Sequence, residues 1–307
     1  PAPAATHLTC ASESLYIKCE GEYTQPNYRA GVSPYTAEGG NIVFDAAGNP
    51  VQQMVETMKF TLTLPKAAPA DAVAGFPIVL VSHGTGGSRD SLLGPNDTGD
   101  VMARRGIAAI GIDQPLQGAR DTYCPEDPDR RDTCQDFWTF NPGNFVAARD
   151  NFRQGVIDNF TLVRLVKTLR LTAEQSLHEV AIKFDENKLL FFGHSQGGIV
   201  GPPFVALEPE LKGAVISGGG GILGFGLLLK TSPTDIKGAI EFLLGIEGSN
   251  ELELAHPLIA LTQGFIEPAD PVNYANEMAV APPAGTACRN VLITQGMGDT
   301  FTPNQAT

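Results

Sequence analysis

Two hydrophobic rhythms divide the chain. Over 54–64, apolar and polar positions alternate, with Met58, Phe60, Leu62 and Leu64 set against Lys59, Thr61 and Thr63. A period of two gives one dry face and one wet face, which predicts an antiparallel strand over 54–64. Asn41–Asp45 is a second strand candidate, joined to the first through the turn-forming run Ala46-Ala47-Gly48-Asn49-Pro50. After an Ala/Pro loop at 65–75 the alternation gives way to unbroken apolar runs. Pro77–Ser82, Ile107–Ile112, Lys188–Gly193, Gly213–Ser217 and Asn290–Thr294 read as strands buried on both faces of a parallel sheet. Between them, Phe145–Leu171 has helical spacing: Val156, Phe160, Val163 and Val166 recur at three- and four-residue steps, and Arg164, Lys167 and Arg170 turn toward water. Strands alternating with helices predict an α/β fold with right-handed crossovers and no internal repeat.

Two segments depart from this pattern. Residues 1–40 are rich in Gly, Pro, Tyr and Ser and read as an irregular leader. Residues 218–283 are too long for a simple connection. Their apolar segments, such as Leu227–Leu229, Phe242–Leu244 and Phe265-Ile266, are short and broken by Gly and Pro. This predicts a helical cap insertion at about 219–284, after the fourth buried strand, with ordinary core helices as the alternative. The organisation expected is a leader over 1–40 and one α/β domain over 41–307.

Composition narrows the function classes. Of 307 residues, 42% are hydrophobic and 18% charged, enough apolar material for a core. A net charge of −13 argues against nucleic-acid binding, which needs clustered Lys and Arg. It also argues against electrostatic docking on anionic lipid, while leaving hydrophobic contact with a lipid substrate or membrane periphery open. Cys10 with Cys19 and Cys124 with Cys134 are close in sequence within turn-rich segments, and read as disulfides of an oxidising compartment. Four free thiols in a cytosolic protein is the competing reading. Metal binding is disfavoured, because neither pair is C-x-x-C. Cys288 is left over. The opening Pro1-Ala2-Pro3-Ala4-Ala5-Thr6 reads as a processed linker with any export signal removed.

The sharpest chemical signal is Gly193-His194-Ser195-Gln196-Gly197-Gly198. It matches G-x-S-x-G, a strand precedes it, and a helix-capable stretch, 199–207, follows. A nucleophilic Ser needs a tight strand-to-helix turn that projects its Oγ, so its neighbours must be small. The helix start adds partial positive charge. The second signal is His83-Gly84-Thr85-Gly86-Gly87-Ser88, directly after a strand. Acyl transfer needs amide donors at the oxyanion, which nominates the Thr85 and Gln196 N–H groups. A phosphate-cradling loop is disfavoured by the absence of Lys-Ser/Thr and of G-x-G-x-x-G. His83 and Gly84 are expected to brace this loop, and His194 to pack beside the turn. The third signal is Asp299 in Gln295-Gly296-Met297-Gly298-Asp299, after the last strand, where a carboxylate would orient a His. Asp270 is the runner-up. No His follows Asp299 within the 307 residues. His178 reads as surface, and His256 lies in the cap. The base is expected beyond Thr307, with the chain cut short.

These residues resemble the α/β-hydrolase superfamily. More narrowly, the chain is similar to exported bacterial lipases and esterases of the virulence-factor-lipase type. The matching stretches are Val79–Gly84, Gly111–Gly118, Ala148–Gln154, Gly193–Gly198 and His256-Pro257-Leu258. The resemblance implies an α/β-hydrolase fold, Ser195 as nucleophile and Asp299 as acid. It also implies export to periplasm, outer membrane or medium. Arg149, Asp150 and Arg153 read as a structural ion network. The expected activity is hydrolysis of carboxylic esters through an acyl-enzyme, as in a lipase, esterase or lysophospholipase, on small-molecule or lipid esters and with no cofactor. An inactive scaffold serving as a binding module, and acyl transfer to another acceptor, are the alternatives.

Overall fold

The computed structural model describes residues 2–246, 252–253, 255–287 and 289–304. Cys288 lies outside them. Eight strands form one sheet: β1 (Thr6–Ser12), β2 (Tyr16–Asn27), β3 (Met54–Pro65), β4 (Phe76–Ser82), β5 (Ala108–Ile112), β6 (Phe184–His194), β7 (Leu211–Ser217) and β8 (Asn290–Thr294). Their spatial order is β1-β2-β3-β5-β4-β6-β7-β8. The β1–β2, β2–β3 and β3–β5 pairs are antiparallel, and the rest are parallel. All five continuous apolar runs are therefore the parallel strands, and the alternating segment is β3. One expectation is corrected: β8 is not buried on both faces but largely exposed, because it is the edge strand of the sheet.

The leader corrects the sequence expectation. Residues 6–27 are not irregular but form β1 and β2. Inner positions of β2 are Cys19, Gly21, Tyr23, Gln25 and Asn27, and all are buried. The period of two is present, but Gly, Gln and Asn on the buried face carry little hydrophobic signal. Cys10 and Cys19 are register partners across β1 and β2 and form a disulfide; Cys124 and Cys134 form the other. Asn41–Asp45 also differs: it makes isolated bridges at Ile42 and Phe44 rather than a strand.

Helices cover both faces: α1 (Thr98–Ala103), α2 (Pro128–Phe140), α3 (Phe145–Thr168), α4 (Ala173–Ser176) and α5 (Gln196–Leu207). The Asn144 side chain caps α3 by accepting from Ala147 N at 3.1 Å, and the helix ends where Leu169 turns extended. One core joins Ile78, Leu80, Ile110 and Phe191 of the sheet to Phe152, Leu162 and Val166 of α3 and Phe204 of α5. On the other face Val79, Val81 and Ala109 meet Leu93. Buried Asp150 is bracketed by Arg149 at 2.7 Å and Arg153 at 3.0 Å, and accepts from Ile42 N at 2.8 Å, which pins the 41–45 segment to α3.

Between β7 and β8 come α6 (Leu223–Leu229), α7 (Ile236–Leu244), α8 (Pro257–Ile266), two single 3-10 turns and α9 (Ala275–Ala279). These helices fill the segment between the fourth and fifth parallel strands, and Leu223, Leu227, Ile240 and Ile259 of them join the main core. Among the described residues, no helix is long and apolar enough to cross a membrane.

Candidate active site

Ser195 stands between β6 and α5 with φ +52° and ψ −113°. A non-glycine residue held there costs on the order of 1–3 kcal/mol, which surrounding structure must hold in place. Ser195 N donates to Ser217 O at 2.9 Å, and Gly197 N to His83 O at 3.1 Å. Glycine at 197 is obligatory for this closeness, since a Cβ there would lie 2.0 Å from Ser82 O. The turn thus locks α5 against the ends of β4 and β7 and leaves the Ser195 side chain half-buried at the sheet edge.

The loop after β4 faces it. A Cβ at Gly84 would stand 2.9 Å from Ser195 Cβ and 3.4 Å from its Oγ, so only glycine lets the two backbones approach. Thr85 Oγ1 donates to Gln196 Oε1 at 3.1 Å, tying the loop to the first turn of α5. Among the described residues neither the Thr85 nor the Gln196 N–H has an acceptor. Two unsatisfied amides beside a projecting hydroxyl, at the positive end of a helix, suit an oxyanion.

The loop is held from below by His83 and by residues of the 113–117 stretch, whose part the sequence did not reveal. His83 is buried; its Nε2 accepts from Gln114 N at 3.0 Å, so Nδ1 carries the proton toward Gly84 O at 2.7 Å. Burial lowers the His83 pKa, opposed by the Gly84 hydrogen bond and by Asp113, and the ring stays neutral. Gln117 Oε1 accepts from Gly86 N at 2.8 Å, while its Nε2 donates to Thr139 Oγ1 at 2.6 Å. Asp113 accepts from Arg89 N at 2.7 Å and Ala119 N at 3.1 Å. The Asp113-Gln114-Pro115-Leu116-Gln117 stretch is thereby a brace for the 83–89 loop. No spacing rule identifies it; its partners lie 24 to 31 residues away.

Asp299 lies on the same side. Its Oδ1 accepts from Phe301 N at 2.8 Å and Thr302 N at 2.9 Å, and Oδ2 is unpaired among the described residues. Asp299, Ser195, Gly84, Thr85 and His194 line one open hollow of about 370 Å³. The other candidates are elsewhere. Asp270 is buried and accepts from Ile222 N, Leu223 N, Val272 N and Gln263 Nε2, so it organises the start of α6. His256 caps α8 through Leu258 N, and His178 bridges Ser176 O and Pro65 O. No histidine nitrogen is bonded to Ser195 or Asp299 among the described residues.

Ser195 also lines a narrow apolar pocket that includes Phe140, Ile199, Leu223 and Leu227. Lys230 lines it as well. It is buried, pairs with buried Asp136 at 3.2 Å and donates to Ser232 O at 2.7 Å. Its ammonium sits over the rings of Phe140 and Phe301. Burial lowers the Lys230 pKa and raises that of Asp136, each opposed by its partner. Nothing in the sequence pairs these two residues, 94 positions apart.

Solved structures that superpose on this chain include esterases. The acetyl xylan esterase of Paenibacillus sp. R4 superposes with a TM-score of 0.53 at 14% identity, covering 95% of this chain and 82% of that one. The chain has the α/β-hydrolase fold. Acetyl xylan esterase 1 of Thermoanaerobacterium sp. JW/SL YS485 gives a TM-score of 0.48 at 14% identity, over 95% and 81% of the two chains. A CE15 glucuronoyl esterase of Caldicellulosiruptor kristjansonii gives 0.44 at 15% identity, over 97% of this chain and 66% of that one. No protein-family model and no curated protein matches the sequence. At such identities the likeness speaks to the fold, and the chemistry is argued from the site.

Proposed function

We propose that this α/β-hydrolase is a serine hydrolase of carboxylic esters, in the lipase and esterase class. The observation that carries the reading is the Ser195 turn, a hydroxyl on a strained strand-to-helix bend against Gly84, beside two unpaired amides. Ser195 Oγ attacks the ester carbonyl carbon and its proton passes to an imidazole oriented by Asp299 Oδ2. The carbonyl electron pair moves onto oxygen, where the Thr85 and Gln196 N–H groups receive it. Collapse breaks the bond to the alcohol oxygen, which takes the proton, and water then releases the acid from Ser195. One oxyanion donor is worth about 2.7–4 kcal/mol in such chemistry. Two disulfides and an acidic surface fit an exported protein working on neutral esters.

Labelling with a fluorophosphonate, read by intact mass, tests the assignment. Wild-type protein takes one adduct on Ser195 and the Ser195→Ala variant takes none. Equal labelling of both would show that the nucleophile lies elsewhere. Ser195 labelling without ester turnover would favour the inactive scaffold.

A further inference from the structure

Asp299 can orient a base only if its loop is held still, and the loop has little of its own to hold it. β8 is the edge strand and pairs with β7 alone. The loop that follows is largely exposed and carries Gly296 and Gly298, the second at φ +73°. Its internal bonds fix only its own shape: Asp299 Oδ1 accepts from Phe301 N and Thr302 N, and Gln295 Nε2 donates to Thr302 O at 2.6 Å. An exposed segment with few buried contacts opens at low cost unless something outside it ties it down.

Among the described residues, every hydrogen bond that leaves 295–304 ends on 230–232, the junction of α6 and α7. Thr231 N and Ser232 N both donate to Thr300 O, at 3.1 and 3.2 Å, and Lys230 Nζ donates to Phe301 O at 3.4 Å. The same ammonium lies 5.5 Å from the centre of the Phe301 ring, within reach of its negative face. The junction is anchored in turn on α2. Lys230 Nζ closes the turn by donating to Ser232 O at 2.7 Å and pairs with Asp136 of α2 at 3.2 Å, and Thr234 Oγ1 donates to Thr133 O at 3.3 Å. Both members of the ion pair are buried, so parting them would leave an uncompensated charge in a medium of low dielectric. The Cys124–Cys134 disulfide and the Gln117 bond to Thr139 fasten α2 itself.

Resting on the serine-hydrolase reading, we propose that Lys230 is a positioning residue for Asp299: paired with Asp136, it fixes the 230–232 turn, and that turn moors the loop that carries the acid. The segment between β7 and β8 thus sets where the carboxylate stands, and a buried charge pair remote from the reacting atoms contributes to turnover.

The test removes both charges together in the full-length protein, as Lys230→Met with Asp136→Asn, so that neither partner is left as a lone buried ion. The melting curve should stay close to that of wild type, while kcat on p-nitrophenyl acetate falls about 10-fold or more, toward the 100-fold scale of an ångström-sized misplacement. KM should stay within about twofold, because the loss falls on the transition state. Lys230→Met with Asp136→Leu takes its place should the first pair melt below the assay temperature. A cycle with Asp299→Asn shows through which group the pair acts, read as the rate of fluorophosphonate labelling by intact mass. The pair should slow labelling in the wild-type background and change it by less than about twofold once Asp299 is Asn, since coupled sites are not additive. A folded pair variant with wild-type kcat, a rise in KM at unchanged kcat, or the same factor in both backgrounds would overturn the proposal while leaving Ser195 labelling intact. Asp299→Asn labelled as fast as wild type would remove the acid and with it this proposal. Wild-type protein that takes no label would instead remove the serine-hydrolase reading itself.

Discussion

Replacing Gln117 by alanine should disable the oxyanion loop without touching the substrate hollows. Gln117 is fully buried and lines neither hollow at Ser195. Its Oε1 is the acceptor for Gly86 N at 2.8 Å, one residue past the Thr85 amide, and its Nε2 anchors to Thr139 Oγ1 on α2 at 2.6 Å. Truncation leaves an orphan N–H and an orphan hydroxyl, at a cost of about 1–3 kcal/mol in stability. At about 2–4 °C per kcal/mol, that is a melting point lower by several degrees. The catalytic cost is bounded above by the loss of one donor, about 10²–10³ in kcat. Thr85 keeps its tie to Gln196 and Gly87 N keeps Gly84 O at 3.1 Å, so a fall of about 10- to 100-fold is expected. KM should hold, because no substrate contact is lost. Steady-state kinetics on p-nitrophenyl acetate give both constants. Gln117→Glu keeps an acceptor for Gly86 N–H, and the Thr139 hydroxyl can rotate to donate, so most of the activity should return. An unchanged kcat in Gln117→Ala, or a loss that Gln117→Glu fails to recover, would refute the bracing role.

Three further outcomes are expected. Gly197→Ala sets a methyl 2.0 Å from Ser82 O, forcing β4 and the head of α5 apart by more than an ångström; fluorophosphonate labelling should slow about 100-fold or more. His83 is held neutral by burial, so its folded pKa lies below the unfolded value of about 6.5. The unfolded chain then binds the extra proton first, so this contribution is complete above about pH 6.5 and is lost as pH falls toward the folded pKa. Urea midpoints at pH 7.5 and 5.5 should fall further for wild type than for His83→Asn, and equal falls would contradict the assignment. Replacing Cys124 and Cys134 with serine frees the 124–134 segment, whose Asp132 packs against Gly86. About 2–3 kcal/mol of stability should go, read as a lower urea midpoint.

What the sequence determined alone follows from local physics. Unbroken apolar runs mark strands of a parallel sheet, and all five of them became parallel strands; burial on both faces fails for β8, which lies largely exposed at the sheet edge. The Gly-x-Ser-x-Gly run carries its geometry within it, because only small neighbours permit Ser195 at φ +52°. Where burial is polar the signal fails: β2 hides Gln25 and Asn27 on its inner face, and Asp270, plausible as an acid by position, spends its oxygens on the amides of α6.

The tertiary structure alone decided which distant residues serve the site. Gln117 under Gly86, Gln114 under His83, and Asp136 against Lys230 are pairings between elements far apart in the chain. Each depends on sheet order and on how α2 and α6 lie over the ends of the strands, and a long-range contact of this kind leaves no periodic trace. The size of the pocket behind Ser195 belongs with them. It is a volume left between Phe140, Leu223, Leu227 and Lys230, and space enclosed by side chains from separate elements exists only once those elements have packed.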